Sequence, residues 1–67
     1  MQISLKAARV NAGLTQAEAG KKVGVGRDTI AKWEAGRSFP DVVAFQKLCA
    51  IYGVTMDAVI FFSHKST

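Results

Sequence analysis

Residues Thr15–Pro40 read TQAEAGKKVGVGRDTIAKWEAGRSFP. Thr15 and Glu18 form a T-x-x-E capping box, so a helix starts here and should run to about Val23. Gly24 suits a turn that needs positive φ. A next helix is expected from about Gly26 to Ala35, with Gly36 as its stop and Pro40 blocking an early restart. Helix, glycine turn and helix therefore occupy Gln16 to Trp33. On a basic background, this is how a small protein presents one helix to the major groove of DNA.

Working outward, a first helix is expected from about Ser4 to Ala12, with Gly13 just past its end. Asp41 is a good N-cap for a fourth helix, Val42 to Tyr52, closed by Gly53. Thr55 is expected to cap a short fifth helix from Met56 to about Phe61, followed by a polar tail over residues 63–67. No strand is expected, because Val23, Val25 and Ile30 are too scattered for a period-2 run. Helical spacing selects the core. It comprises Leu5, Ala8, Ala12, Leu14, Ala19, Val23, Ile30, Trp33, Val42, Phe45, Leu48, Cys49, Tyr52, Val54, Val59 and Ile60. Trp33 and Phe45 fit this core better than they fit base-stacking platforms.

The chain has 67 residues, enough for a single domain over 1–67. Apolar residues make up 49%, which supports one compact core. Nine Lys and Arg against five Asp and Glu give a net charge of +4. The pI of 9.7 is in the range of nucleic-acid-binding domains. Cys49 is the single cysteine, so no internal disulfide forms. With His64, the one histidine, it is too little for a zinc site, and no metal or other cofactor is expected. The N-terminus does not read as a signal peptide, and nothing approaches eighteen consecutive apolar residues. A cytoplasmic protein is the expectation. No nucleophile–base pair or phosphate-binding glycine loop stands out, so an enzyme is not expected.

The helix–turn–helix reading constrains individual positions. A small residue is needed where the two helices touch, and Gly20 fits. Ile30 and Trp33 pin the third helix to the core. Its outward face then carries Arg27, Asp28, Ala31 and Lys32. The text L-x-x-A-R, GLTQAE, VGV, TIAKWEAGRSFPD, F-x-x-L and YGVTMDAV, in that order, resembles the Cro and C1-type (Xre) family of helix–turn–helix repressors from roughly Leu5 to Ile60. The resemblance implies an all-α, compact five-helix, lambda-repressor-like DNA-binding domain. It implies an ion pair between Arg9 and Glu34 that ties the first helix to the third. It also implies base contacts from Arg27, Asp28 and Lys32, and backbone contacts from Gln16, Lys22, Thr29 and Arg37. The bland alternative for this face is a solvated surface on which Asp28 pairs with Lys32 at i, i+4. Three positions depart from the family pattern. Gly26 stands where Ser or Thr often caps, Ala8 and Ala19 where larger aliphatics are usual, and Gly20 where Ala is common.

One recognition helix sees few base pairs, so a homodimer on double-stranded DNA is expected. Ile60, Phe61 and Phe62 are the candidate dimer surface. The function expected is a sequence-specific transcriptional regulator, a repressor on a palindromic operator. The alternatives are an antitoxin-type protein-interaction module and a restriction–modification controller using the same fold. A non-specific nucleoid binder is a further rival.

Overall fold

A computed structural model describes residues 2–61. The element order is β1 (Ile3–Ser4), α1 (Leu5–Asn11), α2 (Gln16–Val23), α3 (Arg27–Ala35), α4 (Val42–Tyr52), a 3-10 turn (Met56–Ala58) and β2 (Val59–Ile60). The architecture is mostly helical, with four α-helices among the described residues.

Three of the four α-helix starts carry a side-chain cap. The Ser4 hydroxyl accepts from the Ala7 N–H, and the Asp41 carboxylate accepts from the Ala44 N–H. Thr15 and Glu18 close a reciprocal box: Thr15 Oγ1 accepts from the Glu18 N–H at 3.0 Å, and Glu18 Oε1 accepts from the Thr15 N–H at 2.8 Å. The Thr15 backbone N–H, with the Thr15 side chain beside it, holds the Glu18 carboxyl below its ordinary pKa. Gly26 occupies the N-cap of α3 and, having no side chain, makes no cap bond.

The expected fifth helix is a correction. Only Met56–Ala58 winds, as a 3-10 turn, and the Thr55 side chain makes no cap bond to it. Val59 and Ile60 then extend and pair in parallel with Ile3 and Ser4, in the register Ile3↔Val59 and Ser4↔Ile60. The expectation of no strand fails with it. The β-branched Val59-Ile60 pair favours extended backbone, and Ile3 offers it a β-branched partner.

The core is built from Leu5, Ala8, Ala19, Val23, Ile30, Trp33, Leu48 and Tyr52, with Cys49 buried beside it. Burial pushes the Cys49 thiol above its ordinary pKa. Ile3, Leu14, Phe45, Val54 and Val59 pack around this centre and stay half-buried. Three expected core residues face outward instead. Val42 is 66% exposed because it opens the first turn of α4, whose buried face is Leu48, Cys49 and Tyr52. Ala12 lies past the end of α1, and Ile60 ends the strand pair; both are exposed. Phe61 packs against Phe45 and Phe39, with ring centroids 5.2 and 5.4 Å away.

α2 packs most extensively on α3 and next on α4. The turn between α2 and α3 folds back onto Gly20. The Gly20 carbonyl accepts from both the Gly24 and the Val25 N–H, at 2.7 and 2.8 Å. Gly24 takes φ +98°, a backbone region that L side chains rarely enter. A Cβ on Gly20 would lie 2.6 Å from the Val25 carbonyl oxygen and 3.2 Å from the Gly26 backbone. The small residue is thus demanded by the turn backbone, rather than by the body of α3.

Candidate nucleic-acid interface

α3 meets the core through Ile30 and Trp33, which are 1% and 8% exposed. Helical periodicity then turns Arg27, Asp28 and Lys32 outward, and all three are exposed. Arg27 Nη2 lies 3.6 Å from Asp28 Oδ1, with both side chains largely in solvent. Asp28 therefore has Arg27 as its neighbouring cation, where i, i+4 spacing had offered Lys32. Such an exposed pair holds neither side chain firmly and leaves both open to exchange partners. Thr29 is half-buried, at the edge of this face.

The cationic residues around α3 come from three places. Lys22 is exposed in the last turn of α2. Lys32 is exposed in the last turn of α3. Arg37 follows the helix and is fixed by its backbone N–H, which donates to the Lys32 carbonyl at 2.9 Å. Lys32 and Arg37 share a shallow depression of about 230 Å³ with Ala31 and Ala35. Two positive charges thus flank the C-terminal half of the exposed face.

Behind this face lies a buried polar network. Arg9 Nε donates to Glu34 Oε2 at 2.6 Å and Arg9 Nη2 donates to Glu34 Oε1 at 3.2 Å. The two side chains are only 10% and 5% exposed. The hydrogen bond and charge of Glu34 hold the Arg9 guanidinium above its ordinary pKa. Arg9 Nη1 also donates to the Leu14 carbonyl at 2.8 Å, which ties α1 to the loop before α2. Gln16 Nε2 donates to Glu34 Oε1 at 3.0 Å. The Gln16 side chain is therefore part of this network in the free protein. Tyr52 sits close enough that burial, reinforced by the Glu34 charge, pushes its phenol up to about 12.

Ile60 and Phe61 are 43% and 37% exposed, and Phe39, Val42 and Val43 are exposed too. Phe62 and His64 lie outside the described residues, as does the expected polar tail over residues 63–67. Among the described residues no group of His, Cys, Asp and Glu is placed to hold a metal ion. Among them, too, no helix is long and apolar enough to cross a membrane.

The family model described as Helix-turn-helix matches residues 5–59, which is most of the chain. The chain belongs to the helix–turn–helix family, of the Cro/C1 (Xre) type. It is also similar to the HTH-type transcriptional regulator ImmR of Bacillus subtilis (strain 168). Identity is 36% over 56 residues, covering 84% of this chain and 44% of that protein. The chain thus spans less than half the length of this relative. No solved structure matches it significantly. In this helix–turn–helix chain, α2 and α3 both lie within the matched segment. The matched segment begins at Leu5 and so excludes β1, but it reaches Val59 in β2.

Sequence reasoning missed two features of this region. One is the engagement of Gln16 by Glu34, a contact between residues 18 apart that has no local signature. The other is the contribution of Phe39, Val42 and Val43 to the exposed apolar surface. The single-letter run FPDVV signals this only once it is known that α4 turns its first residues outward.

Proposed function

We propose that the chain binds double-stranded DNA sequence-specifically and regulates transcription in the cytoplasm. The observation that carries this reading is the exposed, charged outer face of α3, held in place by the turn that closes over Gly20. α3 enters the major groove. Arg27 reads guanine O6 and N7, as Arg and Lys commonly do, and Lys32 reaches a neighbouring base. Asp28 accepts from cytosine N4 once Arg27 leaves it for a base. Gln16, Lys22, Thr29 and Arg37 contact the sugar–phosphate backbone and set the register. The regulator acts as a repressor by occupying a palindromic operator.

Two subunits bind half-sites about 34 Å apart. The exposed surface of Ile60 and Phe61, together with Phe39, Val42 and Val43, supports a homodimer contact there. Ile60→Asp is expected to sediment as a folded monomer if this surface joins the subunits. A folded dimer would place the contact elsewhere.

Selection of bound sequences from a random duplex pool near physiological salt tests the main reading. An enriched palindrome with at least one G·C pair per half-site is the expected result. Arg27→Ala should relax preference at that pair by about 1–3 kcal/mol. Affinity should fall steeply with salt as counterions are released. Binding without enrichment would leave a non-specific binder, and no binding would point to a protein partner.

A further inference from the structure

We propose that Glu34 is a positioning residue for DNA binding, fixing the Gln16 side chain so that the second N–H of its amide is offered to a DNA phosphate. This rests on the DNA-binding reading above.

Glu34 has two oxygens and receives three hydrogen bonds. Arg9 alone forms a two-point pair with the carboxylate. That pair matches the Glu34 charge without any help from Gln16. The third bond, from Gln16 Nε2 to Oε1 at 3.0 Å, is therefore surplus to neutralising the acid. Its effect falls on Gln16. Glutamine is among the side chains that lose most rotamer freedom when immobilised. Here that loss is taken during folding and not on meeting DNA, which is the physical meaning of preorganisation.

The anchor itself cannot drift. Both members of the ion pair are nearly buried, and Arg9 is tied through Nη1 to the Leu14 carbonyl, two residues before Gln16. One rigid chain thus runs from α1 through the end of α3 to the first residue of α2. A glutamine amide nitrogen carries two hydrogens, and Glu34 takes one. Gln16 is half-exposed and makes no other side-chain hydrogen bond among the described residues, so the second stays available to an acceptor from outside. The same Glu34 lies in the last turn of α3, the helix bearing Arg27 and Lys32. Phosphate contact and base-reading helix are thereby registered to one another through a single carboxylate.

A double-mutant cycle in DNA affinity tests this, using a random-sequence duplex as the probe and a temperature at which circular dichroism shows all four proteins folded. Gln16→Ala should weaken binding about fivefold, the worth of one ordinary hydrogen bond. It should leave the salt slope unchanged, because a neutral amide releases no counterion. Glu34→Gln should weaken binding when Gln16 is present and have no effect when it is combined with Gln16→Ala. Equal losses in both backgrounds would overturn the positioning role, since a merely structural Glu34 acts whether or not Gln16 is present. No binding by the wild-type protein would overturn the DNA reading and this role with it. Should Glu34→Gln fail to fold, side-chain relaxation in the free wild-type protein decides. The Gln16 amide should be as ordered as rigid backbone, with an order parameter of about 0.85, and a value below about 0.6 would overturn the proposal.

Discussion

Gly20→Ala is the sharpest test of how the two central helices are held. Replacing glycine by alanine inside a helix ordinarily stabilises it by about 1 kcal/mol. At this position the new Cβ would sit 2.6 Å from the Val25 carbonyl oxygen, well inside van der Waals contact. The opposing atom is backbone, with no rotamer to escape into. The same turn is pinned to Gly20 by two hydrogen bonds at 2.7 and 2.8 Å, so it cannot lift without weakening them. Overpacking of this kind costs about 1–3 kcal/mol. Set against the propensity gain, the net loss is up to about 2 kcal/mol, or a fall of up to roughly 16 °C in Tm for a domain of this size. Total stability for such a chain is about 3–10 kcal/mol, so the variant should remain folded. Thermal melts followed by circular dichroism, with urea titrations to check that m is unchanged, give the number. Gly26→Ala is the internal control, because its Cβ meets nothing within 4 Å and its φ of −77° is ordinary. A Gly20→Ala protein melting at or above the wild type would refute the reasoning.

Other substitutions probe the remaining parts. Glu34→Ala leaves the buried Arg9 charge unpaired and should cost about 3–5 kcal/mol, enough to bring this small domain close to unfolding. The combined Arg9→Met, Glu34→Leu protein should be more stable than the Glu34→Ala single variant in the same urea titration; the reverse order would mean that the pair is not the origin of the loss. Gly26→Ser places a cap where α3 has none, in open space, and should raise stability by a few tenths of a kcal/mol in the same melts. Raising pH should destabilise the fold. The Tyr52 phenol titrates near 12 when folded against about 10 when unfolded. The folded state therefore holds the proton longer, and stability present below pH 10 is lost progressively towards pH 12, to a limit on the order of 2 kcal/mol. The raised Cys49 thiol adds a loss of the same sign from a lower pH, so the urea midpoint should be followed in a Cys49→Ala background. There, Tyr52→Phe should flatten the alkaline arm, and an equally steep arm without the phenol would exclude Tyr52 as its source.

The helical frame was legible because its signals are local. The box of Thr15 and Glu18, the Asp41 cap and the glycine after each helix each act within four residues, and each stands where the sequence pattern puts it. The outward set on α3 was equally legible, since Ile30 and Trp33 fix the helix phase. What stayed hidden depends on distant residues. A two-residue strand has no period to detect, and its partner lies at the other end of the sequence. Val42 has core chemistry, but where α4 meets the body depends on tertiary packing. The bond from Gln16 to Glu34 required the relative placement of two helices that the sequence joins only through a turn.

The parallel pairing of Ile3–Ser4 with Val59–Ile60 closes a loop made of almost the entire chain. Such a closure carries the largest entropic cost of any contact in the fold, set against only two residues per strand. It should zip last during folding and open first in the native state, independently of the turn over Gly20. Amide exchange at Val59 and Ile60 would then run ahead of exchange at Ile30 and Trp33. Ile60 and Phe61 would accordingly belong to a locally unlatching segment, while the face of α3 stays seated on the rigid remainder.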